Sequence, residues 1–221
     1  MELSVFTDLA TLFHKNGFRL YLIGGTSRDY LLNLPIDDFD MVTDATPANM
    51  ETFLHDADYR FAHYGNVKLR FNNHKIDITT LRQESGYKDY RHPQSIQFVS
   101  AIEQDYARRD FTINALYIDS DMKIYDFADG LAHLKEKRIV MIGEPYLRIQ
   151  EDPLRILRAL RFHMRLGFDI DEPLKQAIIH NIDMLAYITP AKVNAEINKM
   201  LHIDEEQTKH LLNSFGIQEA Y

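Results

Sequence analysis

A mixed α/β head followed by a mainly helical segment is the fold class this sequence predicts. Two observations carry the prediction. Up to Gly130, short apolar runs of strand character alternate with stretches of helical spacing. Beyond Gly130 the helical period dominates, punctuated by turns at Gly143-Glu144-Pro145, Gly167-Phe168-Asp169 and Thr189-Pro190. The division expected is therefore residues 1–130 and 131–221.

The elements follow in order. Leu3, Phe6, Leu9, Ala10, Leu12 and Phe13 recur at helical spacing and stop before Gly17, so the chain opens with an amphipathic helix. Arg19-Leu-Tyr-Leu-Ile23 reads as a buried strand running into Gly24-Gly25. A helix over Thr26–Leu34 is stopped by Pro35, and Phe39–Val42 is the second strand. Thr46-Pro47 is an N-cap followed by proline at the first helical position, starting a helix that runs to about Asp56. Val67–Phe71 and Ile76–Leu81 alternate with period two around Asn72-Asn73-His74-Lys75, the pattern of a hairpin. Arg82 to Gln97 is polar, contains Gly86 and Pro93, and reads as a mobile loop. Phe111–Ile118 is apolar again and is expected to pair with Lys123–Phe127 across Asp119-Ser120-Asp121.

Composition narrows the function classes. A chain of 221 residues that is 45% hydrophobic and 26% charged is an ordinary globular sequence, able to bury roughly 70–75% of its unfolded surface. It has no cysteine, which excludes disulfides and thiolate zinc sites. Met1-Glu2 begins without the basic and apolar regions of a signal peptide, and no stretch approaches the length of a membrane span, so a cytoplasmic protein with no membrane partner is expected. The formal charge of −8 argues against indiscriminate nucleic-acid binding. Distribution matters more: Arg148, Arg155, Arg158, Arg161 and Arg165 crowd one short stretch. Ten histidines occur without HExxH or paired ligand spacing, which favours surface and loop roles.

Two constellations carry chemistry. In a strand, residues two apart point to the same face, so the carboxylates of Asp38 and Asp40 emerge side by side. Two such charges about 4 Å apart repel by roughly 4 kcal/mol at an effective dielectric near 20, and a bound cation turns that repulsion into attraction. Mg²⁺ takes one or two carboxylates together with water and phosphate oxygens, which this pair can supply. The bland alternative is a solvated turn after Pro35-Ile36. Asp77, between Ile76 and Ile78, points away from the apolar face and joins the pair if its strand lies beside theirs; otherwise it is a sheet-surface acid. Gly24-Gly25, between strand and helix, admits close approach of a phosphate, with Arg28 one turn later as a clamp, or else is purely a structural turn. Arg108-Arg109-Asp110 is either a charged helix end or a pair of guanidiniums for triphosphate charge with a carboxylate, Asp110, for a ribose hydroxyl.

The second constellation is the helix of Glu151 to Arg165. At about 100° per residue its apolar side is Ile156, Leu157, Leu160 and Met164, with Arg155 and Arg158 opposite and Asp152 at the border. Asp152 and Arg155 are i,i+3 neighbours. They form a surface salt bridge worth roughly 0.2–0.5 kcal/mol, or a base-reading pair in which the carboxylate accepts from an exocyclic amine and the guanidinium donates to the ring. Together the two constellations suggest a metal-dependent nucleotidyl transferase with a built-in base reader.

Leu22-Ile-Gly-Gly-Thr-Ser-Arg-Asp29, Asp37-Asp-Phe-Asp-Met-Val-Thr43 with Ala45-Thr-Pro47, Arg108-Arg-Asp-Phe-Thr-Ile-Asn-Ala115 and Glu151-Asp-Pro-Leu-Arg-Ile-Leu-Arg-Ala-Leu-Arg-Phe162 resemble, in this order, the motifs of class II tRNA nucleotidyltransferases. These are the CCA-adding enzymes and bacterial poly(A) polymerases of the DNA polymerase beta superfamily. The resemblance runs from about residue 18 to 170 and implies a nucleotidyltransferase head over 1–130, with a helical neck and the start of a body over 131–221. It implies that Asp38 and Asp40 hold Mg²⁺; in the transfer that follows, Asp77, read from the strand alternation, is the third carboxylate and candidate base. Gly25, Arg28 and Arg109 would meet the incoming nucleotide, Asp152 and Arg155 would read CTP or ATP, and Arg158 and Arg161 would help bind the triphosphate. The partner implied is the tRNA 3′ end. Arg82 to Pro93 resembles the family's flexible loop, whose presence favours full CCA or A addition.

Two departures stand out. Thr26 and Ser27 occupy positions where relatives commonly have Ala and Val, and relatives continue beyond this length with helices that grip tRNA. The alternatives are A-only tailing of RNA, as by a poly(A) polymerase, and a non-catalytic RNA- or nucleotide-binding derivative of the fold.

Overall fold

The computed structural model describes residues 3–36, 38–87, 89–90 and 93–217; Asp37, and Lys88, Arg91 and His92 of the expected loop, lie outside the described residues. The chain divides into two compact units, Met1–Glu84 with Ser95–Leu131, and Ser85–Gln94 with Ala132–Tyr221.

In the first unit, helix α1 (Ser4–Lys15) buries Val5, Phe6, Leu9, Ala10 and Phe13 and ends at Asn16-Gly17, where Gly17 takes φ +84°. Phe6, Leu9 and Phe13 are fully buried, each worth about 1.5–3 kcal/mol of transfer free energy. Phe13 meets the ring of Phe53 edge-on at 5.1 Å. Strand β1 (Leu20–Leu22) leads into α2 (Gly24–Leu31), which starts two residues before the expected point and ends three before it. The early end follows from Asn33, whose left-handed backbone (φ 56°) turns the chain before Pro35 is reached.

Strand β2 (Asp38–Thr43) precedes α3 (Pro47–Glu51). Thr46 caps α3 as its sequence predicts, in a reciprocal box with Asn49, but the helix stops at Glu51 rather than near Asp56. Strands β3 (Asn66–Phe71) and β4 (His74–Thr80) form the expected hairpin. Its turn is tighter than the four residues expected: Phe71 pairs with His74, leaving Asn72 and Asn73, both at positive φ, as a two-residue connection.

Arg82–Tyr87 (β5) and Pro93–Phe98 (β6) form a two-stranded sheet where a loop was expected. Neither strand has a buried face, and β5 lacks the hydrophobic alternation by which strands are read from sequence, although backbone pairing does not need it. Strands β7 (Leu116–Ile118) and β8 (Ile124–Asp126) pair antiparallel. The strand expected from Phe111 begins only at Leu116, because Thr112–Asn114 forms a turn of 3-10 helix.

The main sheet has the order β3-β4-β2-β1-β7-β8, with β2 and β4 parallel and the other pairs antiparallel. One face carries the larger apolar cluster, including Phe6, Leu9, Phe13, Leu22, Met41, Ile76 and Ile78. A second cluster collects Tyr21, Ile23, Val42, Leu81, Ile102 and Tyr117.

Helix α4 (Gly130–Glu136) starts where a side chain is forbidden, since a Cβ on Gly130 would lie 2.5 Å from the Thr112 carbonyl oxygen. The rest of the second unit is mainly helical. A short strand β9 (Arg138–Ile139) precedes α5 (Pro145–Glu151) and α6 (Leu154–Leu166). A strand β10 (Asp169–Ile170) pairs in parallel with β9, and α7 (Glu172–Asn181), α8 (Pro190–Leu201) and α9 (Glu205–Ser214) follow. Helix α6 ends at Gly167 in the left-handed conformation, and α6 packs on α8 while α5 packs on α7. Among the described residues no helix is long and apolar enough to cross a membrane.

Candidate active site

Alternation along β2 puts Phe39 into the core at 3% exposure and leaves Asp38 and Asp40 exposed on the other face. Strand β4 lies beside β2 in parallel, in a register that sets Asp77 against Asp40. The strand of Asp77 thus lies beside that of Asp38 and Asp40. The Asp77 carboxylate accepts from Lys68 Nζ at 2.9 Å, a residue directly opposite on β3.

The Asp40 carboxylate reaches the turn that starts α2. Gly25 N–H donates to Asp40 Oδ2 at 3.3 Å, and a Cβ on Gly24, at φ +66°, would come within 3.2 Å of the same oxygen. Helix α2 has no capping side chain of its own, since Ile23 occupies the N-cap, so Asp40 supplies the cap from the adjacent strand. Gly24 is thus required by its left-handed backbone and the close approach of a carboxylate, whereas a Cβ on Gly25 would make only ordinary contact at 3.5 Å.

Arg28 is 1% exposed. Its Nε and Nη2 donate to Asp29 Oδ1 at 2.9 and 2.7 Å, and its Nη1 donates to Asn114 Oδ1 at 2.7 Å. Asn114 Nδ2 donates in turn to Asp110 Oδ1 at 3.3 Å, which also accepts from Phe111 N–H. The glycine-turn helix and the Arg-Arg-Asp segment are joined through Asn114.

Arg108 and Arg109 converge on Asp105, which is fully buried. Its carboxylate accepts from Arg108 Nε at 2.8 Å, Arg109 Nη2 at 2.9 Å, the Tyr117 hydroxyl at 2.7 Å and Arg82 N–H at 3.0 Å. Burial alone would push this carboxyl up, but the Arg108 and Arg109 guanidiniums and the two hydrogen bonds outweigh it and hold it below the usual carboxylate range. Burial pushes the Tyr117 hydroxyl up, so it stays a donor. Arg108 also pairs with the Glu84 carboxylate at 3.7 Å, so the two guanidiniums sit between two acids.

In the second unit, Arg155 departs from the helical-wheel expectation. It is 6% exposed, and its Nη1 donates to the Arg148 carbonyl at 2.6 Å and to Glu151 Oε2 at 3.0 Å. Glu151 also pairs with Arg148. The wheel put Arg155 on the polar side because it assigns burial by hydropathy, whereas here a carboxylate one turn back carries the guanidinium inward. Asp152 Oδ1 accepts from Leu154 N–H at 3.2 Å, in the turn that leads into α6. Arg161 is ion-paired to Glu196 of α8 at 2.7 Å, and its guanidinium lies 4.4 Å from the centre of the Phe162 ring, with that of Arg158 at 5.6 Å.

Reading by residue type missed Thr26, Asn114, Asp105, Tyr117, Lys68 and Glu196. A signal existed for Asp105, which stands three and four residues before Arg108 and Arg109, the spacing at which ion pairs form.

The donor set suits a hard divalent cation. Asp38 and Asp40 offer carboxylate oxygens on one exposed face, which is as much protein ligation as Mg²⁺ commonly takes. Among the described residues no group of three or more acidic or histidine side chains is placed to hold a metal ion, so the structure itself brings only Asp38 and Asp40 together as ligands and leaves Asp77 on the neighbouring strand.

A mixed sheet that carries paired exposed carboxylates beside a glycine turn, followed by helices, is a nucleotidyltransferase head. Residues 20–140 match the family described as the poly A polymerase head domain, and the chain belongs to that family. It is 40% identical over 200 residues to the CCA-adding enzyme of Lactobacillus delbrueckii subsp. bulgaricus, covering 89% of this chain and 50% of that protein. The CCA-adding enzyme of Bacillus licheniformis is 36% identical over 187 residues, covering 85% and 47%. Among solved structures, the Bacillus stearothermophilus CCA-adding enzyme in complex with CTP is similar with a TM-score of 0.88 at 29% identity, covering 99% of this chain and 54% of that one. A tRNA nucleotidyltransferase complexed with a primer tRNA and an incoming ATP analogue is similar with a TM-score of 0.74 at 28% identity, covering 96% and 63%. The chain spans about half the length of the curated relatives it matches.

Proposed function

We propose that this chain carries the machinery for template-independent transfer of CMP and AMP from CTP and ATP to the 3′ end of tRNA, with Mg²⁺. The observation that carries the reading is the pair of exposed carboxylates, Asp38 and Asp40, on one face of β2 beside the Gly24-Gly25 turn. Relatives named as CCA-adding enzymes support it, as do similar structures that hold CTP or a primer tRNA with an ATP analogue. The site of action we infer from a tRNA substrate is the cytoplasm.

In this reading residues 1–130 are the catalytic head and 131–221 the base-reading neck with the start of a body. Asp38 and Asp40 hold the cation and Asp77 stands beside them as a third carboxylate and candidate base. Gly24 and Gly25 admit the phosphates, with Arg28 and Arg109 supplying positive charge and Asp110 accepting from a ribose hydroxyl. Asp152 and Arg155 select the base, while Arg158 and Arg161 bind phosphate. The 3′ hydroxyl of the RNA attacks the α-phosphate and pyrophosphate leaves. A divalent cation at the paired carboxylates would stabilise charge on the attacking and leaving oxygens. The chain's own share is orientation: Asn114 fixes Arg28, Asp105 fixes Arg109, and the Glu151 carboxylate fixes Arg155.

The family model that matches is described by poly(A) polymerase, which favours A-only tailing as a second reading. Sequencing the products from end-trimmed tRNA incubated with CTP, ATP and Mg²⁺ separates the two. Restored CCA ends are expected; tails of A alone select the second reading, and nucleotide binding without transfer selects a non-catalytic derivative.

A further inference from the structure

Strand β1 pairs antiparallel with β2 as far as Leu22 opposite Met41, and the last bond of the ladder runs from Ile23 N–H to the Asp40 carbonyl at 3.1 Å. The chain then turns away at Gly24. The next backbone groups of β2 on that edge, Asp40 N–H and the Asp38 carbonyl, lose their strand partner at the very residues whose side chains form the acidic pair. Thr26 replaces it. Its hydroxyl accepts from Asp40 N–H at 2.7 Å and donates to the Asp38 carbonyl at 3.3 Å, and the residue is 2% exposed.

We propose that Thr26 is a positioning residue for transfer. Its hydroxyl stands in for one missing residue of β1, and so fixes the backbone between the two carboxylates at the spacing a cation requires. A hydroxyl suits the task because it accepts one bond and donates the other, matching the N–H and carbonyl of a β-ladder. Without it, Asp40 N–H and the Asp38 carbonyl lose these bonds at a part-buried edge of the strand, and the local backbone is free to twist the two carboxylates apart. The inference rests on Asp38 and Asp40 holding the cation, and touches neither base choice nor the RNA.

The test is direct titration of the full chain with Mn²⁺ alone, followed by electron paramagnetic resonance, on wild type and on Thr26→Val, Thr26→Ala, Thr26→Ser and Asp40→Asn, with thermal unfolding of each. Thr26→Val and Thr26→Ala should bind Mn²⁺ roughly tenfold more weakly, as loss of a group that orients a ligand does. Thr26→Ser should bind as wild type does, and Asp40→Asn should lose the site. If Asp40→Asn loses Mn²⁺ while Thr26→Val and Thr26→Ala bind it normally, the role of Thr26 is overturned and the acidic pair stands. If Asp40→Asn binds like wild type, the metal reading itself falls and Thr26 with it. Should Thr26→Val fail to fold, the comparison is read from Thr26→Ala against Thr26→Ser; failure of both chains that lack the hydroxyl would count against the proposal, since the group would then serve the fold.

Discussion

Asp77 lies in register with Asp40 across the parallel β2/β4 pair, and its carboxylate accepts from Lys68 Nζ at 2.9 Å. A cation already stands beside the third acid of the proposed metal site.

Removing that ammonium should favour a metal. Lys68→Met is expected to lower the Mg²⁺ concentration for half-maximal transfer by about twofold to fivefold at low salt, and by less at high salt, because Lys68 and Asp77 are both well exposed and screened. A Mg²⁺ titration at two ionic strengths checks it; a raised Mg²⁺ requirement would mean that Lys68 serves the substrate.

Asp105 makes a pH prediction. Its carboxyl is held below the ordinary 3.8, so the stability it supplies is complete above that value and is lost as the pH falls through the lower folded-state value. Asp105→Asn should cost about 3 kcal/mol at neutral pH, the penalty for breaking a buried pair. Unfolding free energies should differ by a constant amount from about pH 7 to about pH 5 and converge only in more acid solution. A difference that closed already near neutrality would assign the effect to another group.

Arg155 reaches its position through Glu151 and the Arg148 carbonyl. Glu151→Gln should therefore loosen the choice among nucleotides while leaving phosphate affinity nearly intact, and Arg155→Ala should relax that choice further. Steady-state kinetics with CTP, ATP, GTP and UTP measure this. Equal loss of kcat/KM for all four would argue that Arg155 serves the helix rather than the base.

In the core, Phe13 is fully buried under the ring of Phe53. Phe13→Ala should destabilise the first unit by about 3–5 kcal/mol, read from denaturant unfolding, without changing nucleotide preference.

Much of the acidic site was legible because strands alternate: Asp38, Asp40 and Asp77 announce their faces through Phe39, Ile76 and Ile78. Thr46-Pro47 announced a cap for the same reason of local chemistry. What stayed hidden depends on partners distant in sequence or on elements without an apolar face. The β5/β6 pair has no buried face, and Thr26 matters only because β1 stops at Leu22, two residues before Gly24. Arg155 is buried by a carboxylate rather than by hydropathy, and Asp105 gathers its donors from short 3-10 turns and strands that carry no periodic signal.

The most direct test of the account is Asp40→Ala, assayed for transfer of labelled CMP and AMP to end-trimmed tRNA in Mg²⁺. Loss of its cap on α2 should cost only about 1 kcal/mol, roughly 4 °C in unfolding temperature. The account predicts a folded protein whose transfer has fallen by about a thousandfold or more. A folded Asp40→Ala protein that transfers nucleotide at the wild-type rate in Mg²⁺ would contradict it.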